Sequence, residues 1–231
     1  MPITMQTDDN STSQRLAFWA MLTGTSLLWT LYVSAVVIWH PAPVETSGTL
    51  LRAVIRVGVV LLPAILYAHY YEEWPRQDFL LLKTNWRRGI TIGILTSVVI
   101  FGSLALALAN YSSLTLAMDR LGSLATWTNF FIGSPFAEEI MYRGVVLQVF
   151  ARRFGVVQAA VFSSIWFALL HLPWWLYSQP AAAIPSAMLT IFVYGLVFCC
   201  LFCCLFCWSR SIWGAVIPHI CNNIYSSLFT V

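Results

Sequence analysis

Apolar stretches of helical length, divided by short polar ones, run through the whole chain. Residues 17–39 hold no Asp, Glu, Lys or Arg, residues 51–71 hold only Arg52 and Arg56 near their start, and residues 90–109 again hold none. Each is close to the roughly 20 residues that a helix needs to cross a bilayer. Residues 154–209 also lack Asp, Glu, Lys and Arg. That is too long for one span, and Pro173, Pro180 and Pro185 interrupt it, so it predicts two helices joined by a turn. A last apolar segment, 211–231, predicts a further span. The segment 121–150 is different, because its apolar pattern is interrupted by Gly133 and Pro135 and then carries Glu138, Glu139 and Arg143. It predicts a broken or irregular span, tolerated at membrane depth where protein or a water-filled cavity surrounds it. The expected fold class is all-α: a polytopic transmembrane helical bundle of about six to eight helices. Its expected organisation is a polar tail over 1–16, amino-terminal transmembrane helices over 17–120, and a core over 121–231 that bears the polar pattern.

Composition agrees with this frame. Hydrophobic residues make up 59% of the 231 positions and charged residues 9%, against about 25% charged in an ordinary soluble domain. A water-soluble surface cannot be built from such a chain, and the lipid bilayer is its expected partner. The net charge of +3 comes from arginines and a single lysine scattered through the loops. No cluster resembles a nucleic-acid footprint, so nucleic acid is not an expected partner. The polar start is not followed by a cleavage-site pattern, and no removable signal peptide is expected.

The most charged loop, 72–89, holds Arg76, Lys83, Arg87 and Arg88, which predicts a cytoplasmic side. Alternation then puts Arg15, Arg152, Arg153 and Arg210 inside as well, with Arg52, Arg56 and Arg120 opposing. The expectation is an integral multi-pass protein of a bacterial cell membrane with a cytoplasmic amino terminus. All six cysteines come late, five of them in the apolar run from Cys199 to Cys207. Their spacing permits a metal site or acylation, yet thiols in such helices act as small apolar packing groups. No histidine or cation accompanies them in sequence to stabilise a thiolate.

Ionised side chains at the bilayer centre cost about 2.5–3.5 kcal/mol each on insertion scales, so Glu138, Glu139 and Arg143 need a reason to be there. On a helix Glu139 and Arg143 stand four apart and can pair, leaving Glu138 about 100 degrees round the axis as the chemically available carboxylate. The plainer alternative is a charged helix end lying at the interface. His171 falls inside the long uncharged stretch, and His219 falls in the last span with Asn223 four residues later. Either histidine alone would read as an interhelical hydrogen-bonding group. Counted from their cytoplasmic ends, Glu138, His171 and His219 lie roughly 18, 24 and 13 Å deep, where they could meet. Carboxylate, imidazole and amide together provide a base, a second proton carrier and an oxyanion donor.

These residues also carry a resemblance. Glu138-Glu139-Ile-Met-Tyr-Arg143 is similar to the EExxxR motif, Phe167-Ala-Leu-Leu-His171 to the FxxxH motif and His219-Ile-Cys-Asn-Asn223 to the HxxxN motif of the CAAX-protease and bacteriocin-processing (Abi) family. Order and separation agree, over about residues 130–231. The resemblance implies an intramembrane endopeptidase in which Glu138 and His171 activate water, His219 and Asn223 steady the oxyanion, and Glu139, Arg143 and Phe167 support them. It implies a membrane-associated peptide or protein substrate, CAAX-type or otherwise processed. No cofactor is obligatory on this reading, with zinc on Glu138, His171 and His219 as the metal alternative. A non-catalytic self-immunity factor or scaffold and, less strongly, a transporter are the competing readings.

Overall fold

The computed structural model describes residues 12–39, 46–72, 74, 78–111, 115–116, 127–178 and 184–230. Three long helices come first: α1 (Thr12–Trp39), α2 (Thr46–Tyr71) and α3 (Trp86–Tyr111). They start a turn or so before the uncharged windows, because polar residues such as Thr12 and Trp86-Arg87-Arg88 continue the helix into the interface. A composite helix follows, built from a π-helical stretch π1 (Asn129–Phe136), a short α4 (Ala137–Glu139), a second stretch π2 (Ile140–Leu147) and α5 (Gln148–Phe154). Then come α6 (Val156–Ser178), α7 (Ile184–Ser209) and α8 (Trp213–Leu228). A two-residue antiparallel pairing sets Thr115 against Thr230 and Leu116 against Phe229. The described residues thus form the expected helical bundle, in seven rods.

Four of these helices are long and apolar enough to cross a membrane: Thr12–Val36, Ala53–Tyr71, Trp86–Ala107 and Val156–Pro173. Their outward faces carry Leu27, Leu31, Leu62, Val98, Val99 and Val157, all exposed. In water such a surface would aggregate, whereas in lipid it is the solvated surface. The chain is an integral, multi-pass membrane protein.

Over the described part of 121–150 the structure takes the irregular alternative and not the broken one. Residues 129–154 do not break; they stay helical and widen. Pro135 has no N–H to give and its ring crowds the carbonyl four residues back, a conflict that the wider i→i+5 turn of a π-helix relieves. Residues 121–126 lie outside the described residues. The composite helix stops at Gly155, whose φ of 85° and bond from its N–H to Ala151 O end α5 and start the turn into α6. Pro173 sits inside α6 without ending it, so the division of 154–209 falls later, between α6 and α7, and the expected turn with Pro180 lies outside the described residues.

Two close approaches fix the helices that bear the site. α3 carries Gly89 and Gly93 one turn apart, and a Cβ at Gly93 would lie 2.8 Å from Ile217 Cβ on α8. This small-residue stripe lets α3 and α8 touch backbone to backbone, the usual device where lipid gives no hydrophobic drive to association. On the other side Gly195 of α7 meets Ala168 of α6, where an added Cβ would stand 3.0 Å from the alanine methyl. The bundle's ends beside the charged loop are tied by Gln14 Nε2 donating to Tyr71 O at 2.7 Å and by the Arg152–Glu72 ion pair.

The charged loop is more than a solvated connection. The Asp78 carboxylate accepts from the backbone N–H of Leu82, Lys83 and Thr84 and from Thr84 Oγ1, at 2.6 to 3.1 Å. Phe79 and Leu80 are buried. Gln148 Nε2 donates to Phe79 O, Ile212 N–H to Leu81 O and Trp213 Nε1 to Leu82 O. The loop therefore seats the start of α8 against the composite helix.

Candidate active site

The composite helix brings a hydroxyl, two carboxylates and a guanidinium to one buried face. Glu138, Glu139 and Arg143 are buried, as is Ser134 one turn before Glu138. Arg143 Nη1 donates to Glu139 Oε1 at 3.1 Å and Nη2 to the Cys199 carbonyl at 3.3 Å. The guanidinium also lies between aromatic rings, 5.0 Å from the Phe167 centroid and 5.5 Å from that of Phe202. The carbonyl and the rings offset part of the desolvation of this buried pair, while Arg143 Nε and Glu139 Oε2 have no hydrogen-bond partner among the described residues. The spacing Glu139-x-x-x-Arg143 predicts this pair, and the structure contains it.

Glu138 stands in a different setting. Its Oε1 accepts from Ser134 Oγ at 2.7 Å, and among the described residues its Oε2 has no hydrogen-bond partner. Two imidazoles from other helices face that oxygen. His171 Nε2, from α6, is 4.0 Å away, and His219 Nε2, from α8, is 3.8 Å away. The other ring nitrogens are taken: His171 Nδ1 meets Phe167 O at 2.9 Å, and His219 Nδ1 meets Glu139 Oε1 at 2.7 Å. A carbonyl or carboxylate can only accept, so both Nδ1 atoms are donors, and in the neutral rings both Nε2 atoms turn lone pairs towards Glu138. Phe202 stacks on His219, with centroids 5.4 Å apart and planes 24° from parallel, and Phe167 lies against His171 at 4.6 Å.

Glu138, Glu139, Arg143, Phe167, His171 and His219 are thus joined in one cluster. Asn223 follows His219 by one turn of α8 and is half-buried. Exposure is uneven: the His171 side chain is 35% exposed, against 7% for His219 and 4% for Glu138. The cluster opens at His171.

Reasoning from the sequence did not single out Ser134 or Phe202. Ser134 had a signal, a hydroxyl four residues before a carboxylate; Phe202 had none, because nothing local says which ring meets His219. The premise that no cation accompanies the cysteines is overturned, since folding sets Arg143 against Cys199. Cys199 and Cys203 are buried, and all six cysteines are free. As for a metal, two imidazole nitrogens and a carboxylate are zinc-type donors. Among the described residues, however, no three such side chains stand close enough to share an ion. Gaps of 3.8 and 4.0 Å exceed the roughly 3.3 Å ligand-to-ligand edges that follow from ordinary zinc bond lengths.

Comparison with known proteins finds one family. Residues 120–225, just under half of the chain, match the family model described as Rce1-like, type II CAAX prenyl endopeptidase. No curated protein and no solved structure gives a significant match. The matched segment contains all three motifs, and the fold gathers the side chains of Glu138, Glu139, Arg143, Phe167, His171 and His219 at one place, with Asn223 one turn beyond His219 on α8. Over residues 120–225 the chain is similar to the type II CAAX prenyl endopeptidase Rce1-like family, and the three motifs fall inside that match.

Proposed function

We infer that the protein is an intramembrane endopeptidase, CAAX-type or closely related, that hydrolyses a peptide bond with a water activated by Glu138. The observation that carries this reading is the convergence of His171 Nε2 and His219 Nε2 on the unpartnered Glu138 Oε2. Separations near 4 Å are too long for direct hydrogen bonds and suit a water held between the groups. Glu138 would take the proton as the water oxygen attacks the substrate carbonyl, with His171 holding the water's second hydrogen.

The charge count supports a mobile proton. With both imidazoles neutral, Glu138, Glu139 and Arg143 carry one net negative charge, so one more proton makes the buried cluster neutral. On His219 that proton would sit at Nε2, with Nδ1 still donating to Glu139, and would serve as oxyanion donor together with the Asn223 amide. Collapse of the tetrahedral intermediate returns the proton from Glu138 to the leaving amine. No step here requires a metal. The substrate is expected to be a membrane-associated peptide or protein, in keeping with the prenyl endopeptidase description of the matching family.

Glu138→Gln tests the reading, since it removes the base and keeps the shape. Cleavage of a membrane-anchored reporter peptide by the purified protein should fall roughly 10²- to 10⁴-fold with unchanged thermal unfolding. Adding His171→Ala to that variant should lower the rate little further, because the two act as one unit. Strong chelation should leave the wild-type rate unaltered. Full biological function of Glu138→Gln at normal expression would instead mark a self-immunity factor or scaffold, and zinc-restored activity after chelation would move the chemistry to a metal.

A further inference from the structure

A hydroxyl on a helix in apolar surroundings has a ready partner in the carbonyl one turn back. Thr23, Ser26, Thr30, Ser97 and Ser227 all take it, each donating to the carbonyl four residues earlier at 2.7 to 2.9 Å. Ser134 does the reverse. Its Oγ donates forward, at 2.7 Å, to Glu138 Oε1, with both side chains buried. Helical side chains lean towards the amino terminus, so Glu138 reaches back over residue 134 and meets the hydroxyl there.

The consequence lies in which carboxylate oxygen is left. The last torsion of a glutamate is broad and roughly two-fold, so an unheld carboxyl group readily exchanges its two oxygens. Here Ser134 occupies Oε1, while Oε2 has no hydrogen-bond partner among the described residues and faces His171 Nε2 at 4.0 Å and His219 Nε2 at 3.8 Å. A proton taken up by Glu138 then bonds to Oε2. The Ser134 hydrogen stays on its own oxygen throughout.

We propose that Ser134 is a positioning residue for the general base, holding Oε1 so that Glu138 accepts and returns its proton at Oε2 alone. The inference rests on the protease reading above and adds to it a residue outside the three motifs. Water loses one hydrogen to Oε2 as its oxygen bonds to the carbonyl carbon, and that hydrogen passes from Oε2 to the amine as the C–N bond breaks. Without the hydroxyl the protonated carboxyl group can turn and carry its hydrogen away from the leaving amine. The defect falls on the chemical step and not on substrate binding.

The test uses the full-length protein in nanodiscs with the membrane-anchored reporter peptide, each rate being read well below the melting temperature of every variant. Ser134→Ala should lower kcat roughly 10- to 100-fold, the range for losing a hydrogen bond to a charged group, and leave KM unchanged. Ser134→Thr, which returns a hydroxyl on the same carbon, should recover kcat, whereas Ser134→Cys, which keeps the size with a weak donor, should not. In a Glu138→Gln background Ser134→Ala should slow the residual rate no further, because the group it positions is gone. Wild-type kcat in Ser134→Ala overturns the proposal, as does a loss carried by KM, a loss repeated in full in the Glu138→Gln background, or an equal loss in Ser134→Ala and Ser134→Thr. If the wild type cleaves no reporter, the protease reading fails first, and infrared spectroscopy decides the Ser134 contact separately. With glutamate labelled at its side-chain carboxyl carbon, the difference between wild type and Glu138→Gln isolates the Glu138 band. Ser134→Ala should shift that band and Ser134→Thr should restore it; a band at one position in wild type and both variants overturns the positioning role.

Discussion

Glu138 and Glu139 are adjacent in sequence and differ in setting because of what each touches. Glu139 Oε1 accepts from Arg143 and from His219 at once, so it is held between a fixed cation and a ring whose orientation it sets. Glu138 has Ser134 on one oxygen and the two Nε2 atoms facing the other. Neutralising Glu139 should therefore act on folding first. Glu139→Gln leaves the fully buried Arg143 without its counter-charge, and breaking a buried pair on one side costs about 3–5 kcal/mol. Thermal unfolding in detergent should show a marked loss for Glu139→Gln and little change for Glu138→Gln. Equal stability of the two variants would contradict the division of labour.

At the scale of elements, the site depends on how closely α8 approaches α3. An added Cβ at Gly93 would press on Ile217 Cβ and, at 3.2 Å, on the Trp213 carbonyl. Neither atom can swing aside, so the helices must part, and Ile217 is two residues from His219. Gly93→Ala should cost about 1–3 kcal/mol as an overpacking change and lower the cleavage rate by drawing His219 away from Glu138. Gly102 lies on the same helix with nothing within 4 Å of an added Cβ. Gly102→Ala should leave both melting temperature and rate unaltered. Matching losses in the two variants would point to the glycines of α3 as such and not to its seam with α8.

For the molecule as a whole, the arginine asymmetry predicts that the loop bearing Lys83 is cytoplasmic. Asn85 has a positive φ of 49°, so an accessibility tag belongs on Lys83 instead. In a background with the six cysteines replaced by alanine, Lys83→Cys should resist a membrane-impermeant maleimide in intact cells and react after permeabilisation. Labelling of intact cells would invert the topology. The alanine background itself should remain active, since the backbone carbonyl of residue 199 that accepts from Arg143 survives the substitution.

The sequence by itself determined the helical spans, the pairing of Glu139 with Arg143 and the identity of the clustered residues. Lipid offers no partner to backbone N–H and C=O groups, so each span must satisfy itself locally, and its length and apolarity are written in consecutive residues. An i,i+4 pair is equally local. Tertiary structure alone decided which ring nitrogen faces Glu138, that Phe202 stacks on His219, and that the Asp78 loop turns inward. These relations join residues tens to more than a hundred positions apart, through small-residue seams whose fit depends on shape and leaves little trace in hydropathy. Pro135 marks the boundary between the two. Its missing N–H announced a disturbance in the helix, but only the packing around the composite helix chose a widened π turn over a break.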